Sequence, residues 1–170
     1  LGYSIHSGDR EFQVPDEYPL TAAGWRIDDN GRKFIRVKGV RWFTNIDHGR
    51  RHEPLPLMTM ADNLRFSKHK ELKGKTAYDR YDNYDAIEVP FTDAIPSDYD
   101  GVMGVPISFL DKYCPEQFEI LGISLELGIK KPDNLPKEKQ GGPAFYIKMG
   151  TDYNRMYCRL AIRRKLTIDN

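Results

Sequence analysis

Arg50, Arg51 and His52 stand in succession, and Lys68, Lys70, Lys73 and Lys75 follow within one polar stretch. Cations spaced this closely suit the neutralisation of backbone phosphates, which supplies the sequence-independent part of nucleic-acid affinity. The plain alternative is a solvated loop, since charge runs usually coat a surface. Tyr81-Asp82-Asn83-Tyr84-Asp85 is the most unusual cluster. An Asn can pair with an adenine edge through two hydrogen bonds, and a Tyr can stack on a base. The same residues also fit an Asx-turn, in which Asn and Asp bond their own backbone and the tyrosines pack half-buried. Near the end, Arg155, Arg159, Arg163, Arg164 and Lys165 place cations along an alternating segment. Such a face suits either a phosphate-lined groove or the guarding of an edge strand.

Other chemistries find less support. His48 and His52 are four apart, but Gly49 and Pro54 work against the helix that would align them on a metal. Asp98, Asp100, Asp111 and Glu116 read as turn and cap residues, with nothing converging on them. Gly101-Val-Met-Gly-Val-Pro lacks the third glycine of a nucleotide loop. No Ser, His and Asp set has the context of a nucleophile. No catalytic residue and no metal ligand is assigned, and cofactor-binding residues are left open.

The elements that must position these groups read as α+β, mainly antiparallel. Leu1 to Val14 has the alternation of two short strands, ended by Pro15 and Pro19. Trp25 and Ile27 lead into Asp28-Asp29-Asn30-Gly31, and Phe34, Ile35 and Val37 return; Asn-Gly marks a hairpin because both residues tolerate positive φ. Val40 to Ile46 continues as a strand. Met58 to Ala77 lacks a clear period and reads as a long loop with room for one helical turn, a length usually tied to function or disorder. Ala86 to Phe91 has strand character. Pro106 suits the first turn of a helix whose apolar face is Ile107, Phe109, Leu110 and Tyr113, and Pro115 stops it. Ile123 to Ile129 reads as a strand, and Lys130 to Gly142 as an excursion without core positions. Phe145 to Met149 and Arg155 to Ile168 read as a closing antiparallel pair. In the last of these, Met156, Cys158, Leu160 and Ile162 form an apolar face.

Composition sets the bounds. The 170 residues, with 39% hydrophobic and 30% charged, suit a globular chain that buries a core. No apolar run approaches the roughly twenty residues of a membrane helix. Two cysteines, Cys114 and Cys158, make a disulfide scaffold improbable and a reducing, cytoplasmic setting the expectation. The net charge of +1 argues neither for nor against nucleic acid, but its distribution does more. Arg50 to Arg80 carries eight Lys or Arg against four acids, whereas Asp82 to Asp111 has neither Lys nor Arg. A local basic surface can bind phosphate even when the whole molecule is near neutral.

Five stretches, in order, resemble the C-terminal part of the EcoRI-type adenine-specific DNA methyltransferase family. They are WFTNID (Trp42 to Asp47), RHEPLPL (Arg51 to Leu57), YDNYDAIEV (Tyr81 to Val89), GVMGVPISFLDKYCPEQFEILG (Gly101 to Gly122) and YCRLAIRR (Tyr157 to Arg164). The resemblance implies a parent enzyme that transfers a methyl group from S-adenosylmethionine to the exocyclic amine of adenine in a specific double-stranded DNA sequence, as part of a restriction-modification system. An enzyme acting on that amine must turn the base out of the duplex. The family's Asn-Pro-Pro-aromatic sequence does not occur here, nor does a glycine-rich loop for the methyl donor. With Leu1 at the start in place of Met, the expectation is a C-terminal portion that neither catalyses nor binds the donor alone. The expected division is 1–57, closing strands of a Rossmann-like methyltransferase sheet, and 58–170, a target-recognition region. On this reading Arg50, Arg51, His52, Lys68, Lys70, Lys73, Asn83, Tyr84, Arg159 and Arg163 contact DNA. The alternative is a non-catalytic structural or protein-interaction module, with dimerisation through an exposed sheet edge.

Overall fold

The computed structural model describes residues 3–21, 23–47, 49–136 and 141–165, and the chain divides into two compact units, 1–47 and 48–170. Secondary structure is sheet-rich with little helix, and strand pairing is mostly antiparallel.

In the first unit, β1 (Tyr3–Val14) and β2 (Trp25–Ile27) flank β3 (Lys33–Thr44) in the order β1-β3-β2, both antiparallel to it. The stretch expected to form two short strands is one long strand. Its pairing slips at two places around Gly8, whose φ of +74° accommodates the irregularity. The hairpin forms as expected, across Asp28 to Arg32. Asp28 Oδ1 accepts from the Asn30 and Arg32 amides at 3.0 and 2.9 Å, and Gly31 adopts a φ of +78°. Pairing of Phe12 with Ile35 and of Ile35 with Trp25 puts Phe12, Val14, Trp25, Ile27, Ile35 and Val37 on one side of the sheet. Glu11, Gln13, Arg26, Phe34 and Arg36 take the other. There Arg26 ion-pairs with Glu11 at 2.8 Å and lies 4.2 Å over the Phe34 ring.

The second unit is built on a sheet ordered β4-β5-β9-β6: β4 (Ile87–Glu88), β5 (Met103–Pro106), β6 (Phe118–Ile123) and β9 (Arg159–Arg164). β4 and β5 are parallel and the other pairings antiparallel. A separate hairpin joins β7 (Tyr146–Met149) to β8 (Asp152–Arg155). The expected closing pair forms only at its start, where Arg155 aligns with Tyr146 and the Met156 amide donates to the Phe145 carbonyl at 2.9 Å; beyond it β7 turns back on β8, β9 inserts between β5 and β6, and residues 166–168 lie outside the described residues. Ile123 to Ile129 is not a strand. β6 ends at Ile123, and a turn follows in which Glu126 accepts from the Ile123 amide at 2.9 Å and Gly128 takes a φ of +61°. The loop expected from Met58 holds α1 (Met60–Phe66), capped by Thr59, whose hydroxyl accepts from the Asp62 amide at 3.1 Å. The helix expected after Pro106 is a 3-10 helix, Ile107–Lys112.

Both faces of this sheet are covered. Ile87, Met103, Val105, Leu160 and Ile162 pack with Phe109 and Phe118, whose rings meet edge to face at 5.3 Å. On the other face, Ala161 packs with Tyr81, Phe145 and Ile147. In β9, Leu160 and Ile162 take the first face and Arg159 and Ala161 the second, as the alternation predicts, but the burial of Ala161 means that the second face is covered rather than a bare cationic surface.

Candidate functional site

The second face of that sheet carries a row of unusual composition. Glu88 aligns with Gly104, Gly104 with Ala161, and Ala161 with Gly122; Arg159 aligns with Pro106 and shares their side. Small residues leave the middle of the row open. A Cβ on Gly104 would meet the Tyr81 phenol, with two ring carbons at 2.7 Å, so the missing side chain makes room for that ring. Arg159 reaches across β5 to Glu88. Its Nε donates to Oε1 and Oε2 at 3.0 and 3.1 Å, and Nη2 donates to Oε1 at 2.7 Å. Tyr81 donates its hydroxyl to Oε2. Glu88 is 5% exposed and the Arg159 side chain 12%.

Burial alone would lower the Arg159 pKa, but the hydrogen bonds and charge of Glu88 outweigh it and hold the value above its ordinary level. Burial, and then the neighbouring Glu88 charge, pushes the Tyr81 phenol well up. It therefore stays protonated as a donor. A buried charged pair is costly unless its remaining groups are also satisfied, and Tyr81 supplies the extra bond.

Above this network lies a groove of about 990 Å³. One wall comes from the segment after α1 (Leu72, Lys75, Asp79), another from the β7–β8 hairpin (Ile147, Met149, Asn154). Glu88, Pro90, Phe91, Met156 and Arg159 also line it. A second hollow of about 360 Å³ shares Met156 and Arg159 and is lined by Tyr157 and Cys158 as well. Cys158 is exposed, whereas Cys114 is buried and its thiol pKa is raised by that burial.

Arg159 is the one member of the expected DNA-contacting set that lines the groove. Arg50, Arg51 and His52 sit in a 3-10 turn, Gly49–His52, where Arg50 and His52 are exposed and Arg51 half-buried. His52 Nδ1 lies 2.6 Å from Glu116 Oε1, and that bond draws the Glu116 pKa down. Arg51 is near enough to Tyr113 for its charge to oppose the burial that raises that phenol. Lys68, Lys70 and Lys73 are exposed beyond α1. Between them, the His69 ring stacks on Phe91 at 3.6 Å. Arg163 is exposed on β9.

Asn83 and Tyr84 serve the interior. The Asn83 amide donates to the Lys130 and Ala144 carbonyls at 2.8 and 2.9 Å and accepts from the Tyr146 amide at 2.9 Å. Both of its N–H groups are thereby engaged, tying the loop to β7. Tyr84 packs edge-on against Phe145 with centroids 5.4 Å apart. Sequence reasoning passes over Glu88. The available signal is an acid flanked by Ile87 and Val89 in a short strand, a position that burial permits only with a partner.

Among the described residues no group of three or more His, Cys, Asp or Glu could hold a metal, and no helix is long and apolar enough to cross a membrane.

Residues 1–165 match the model of the family described as adenine-specific methyltransferase EcoRI. The chain is 42% identical over 133 residues to the Type II methyltransferase M.EcoRI of Escherichia coli, covering 78% of this chain and 37% of that protein. It is 40% identical over 123 residues to M.MgeORF184P, a Type II methyltransferase of Mycoplasma genitalium, covering 71% and 35%. Over 95 residues it is 36% identical to the Type II methyltransferase M.MpnI of Mycoplasma pneumoniae, covering 56% and 27%. The chain thus spans about a third of the length of the curated relatives it matches. No solved structure matches it. Match and identity together place this chain in the EcoRI-type adenine-specific methyltransferase family.

Proposed function

We propose that this chain is the DNA-recognition portion of a site-specific adenine-N6 methyltransferase of a restriction-modification system, working in the cytoplasm. The parent enzyme takes its methyl group from S-adenosylmethionine, and residues 1–57 contribute closing strands to its Rossmann-like sheet. The described residues do not fit the donor. Their one α-helix, α1, follows Leu57-Met58-Thr59 with no glycine turn, and the buried carboxylate of Glu88 is already bonded to Arg159 and Tyr81. What this chain's residues do is bind and orient duplex DNA. Exposed Arg50, His52, Lys68, Lys70, Lys73 and Arg163 face phosphates, with Arg51 beside them. Asn83 and Tyr84 hold the shape of the surface from behind.

The observation that carries this reading is a set of exposed cations on one compact unit of a chain whose family is adenine-specific. Fluorescence-anisotropy titration of a labelled duplex tests it. Binding is expected to weaken steeply with salt, and Arg51→Ala with His52→Ala should lower affinity and reduce the salt slope by about 1 for each phosphate no longer neutralised. Affinity unchanged by both substitutions would remove the assignment.

The largely apolar side of the first unit's sheet, which also carries Arg10 and Lys33, favours a second reading for that unit, as a protein-docking module. Phe12, Trp25, Ile27 and Val37 are each more than 40% exposed there. Association seen by light scattering without any duplex binding would favour it.

A further inference from the structure

We propose that the groove floored by Arg159 receives a single unstacked nucleotide and reads the paired acceptors of a guanine-type base edge. The proposal rests on the duplex-recognition reading and adds a specificity site to it. A guanidinium is planar with two usable edges. Glu88 occupies the edge formed by Nε and Nη2, which fixes the plane and leaves the opposite edge, Nη1 with the second Nη2 hydrogen, pointing away from the carboxylate. The bonds to Glu88 use Nε and Nη2 and none of them uses Nη1. An arginine buttressed this way presents two parallel donors, the complement of the O6 and N7 acceptors of guanine.

Charge decides between a base and a phosphate. The groove is lined by Glu71, Asp79 and Glu88 and by Lys75, Lys148 and Arg159, three acids against three cations. Such a balanced lining gives little net attraction to a phosphate, whereas a neutral base edge needs only the two donors. Phe91, Met149 and Met156 supply apolar, polarisable contacts for the faces of a flat ring. With its side chain 12% exposed, Arg159 is too recessed to meet a base still stacked in a duplex, so the base must enter the groove.

The test uses the full 170-residue chain and follows the Arg159 Nε–H signal by NMR during titration with guanosine 5′-monophosphate, adenosine 5′-monophosphate and ribose 5-phosphate. The guanine nucleotide should move that signal and bind at least roughly tenfold more tightly than the adenine nucleotide, the discrimination expected of one bidentate pair. Met149→Trp, at an exposed rim position that leaves the ion pair intact, should abolish the shift. Arg159→Lys should erase the preference between the bases. Equal shifts with ribose 5-phosphate would mean phosphate capture and overturn the proposal, as would no shift at all. If the guanine nucleotide leaves the signal unmoved while the duplex still binds in an Arg51- and His52-dependent way, the groove proposal fails alone. If the nucleotide binds and the duplex does not, the recognition reading fails instead.

Discussion

Glu88 lies between Ile87 and Val89 on a two-residue strand, and Arg159 and Tyr81 close around its carboxyl group with hydrogen bonds. Breaking such a pair from one side leaves an uncompensated charge in the interior. Glu88→Ala is therefore expected to cost about 3–5 kcal/mol of unfolding free energy, measured by urea denaturation. The double substitution Glu88→Leu with Arg159→Met should recover most of that loss, because two apolar groups need no partner. If the single and double variants were equally destabilised, the pair would not be what holds this region. The partners are 71 residues apart in the chain, and this is why the network is not legible from sequence: Arg159 looks like one more cation on an alternating strand. Asn83 misleads for a related reason. Its amide has the chemistry of a base reader, and only the positions of Lys130, Ala144 and Tyr146 show that backbone takes it.

At the scale of elements, the turn between β2 and β3 depends on a carboxylate. Asp28 accepts from Arg32 and from two turn amides, and the Arg32 side-chain bond is the largest influence holding its pKa below the ordinary aspartate value. A depressed folded-state pKa contributes stability above the unfolded value, about 3.9, and loses it as pH falls through the folded one. Protection of the Gly31 amide, which donates to the Asp28 carbonyl at 2.9 Å, should accordingly fall below about pH 4. Asp28→Asn should flatten that dependence. This hairpin is readable because its signal is local: Asn30-Gly31 sits between two apolar runs. β1 reads as two strands because Gly8 interrupts the alternation, although a bulge lets pairing continue past it. α1 escapes notice because seven residues are too few to show a period. The pairing of β9 is hidden because nothing in its own residues says that its neighbours are β5 and β6 rather than the adjacent hairpin.

For the molecule as a whole, the two units differ in how they are held. Among the described residues, every buried member of the hydrophobic clusters lies in the second unit, from Leu55 to Ile162. Residues 48–170 expressed alone should therefore unfold in one cooperative step, with coincident transitions by near- and far-UV circular dichroism. Loss of cooperativity on removing 1–47 would show that the first unit is needed for that core. Family membership is legible in the amino-acid order itself because five ordered stretches carry it, and they run through both units.

The chain's two thiols are unequal, one sealed in the interior and one open beside Arg159. A maleimide dye offered to the unmodified protein has a single ready point of attachment, Cys158. That gives a fluorescent reporter in the second hollow, which shares Met156 and Arg159 with the groove, without introducing a mutation.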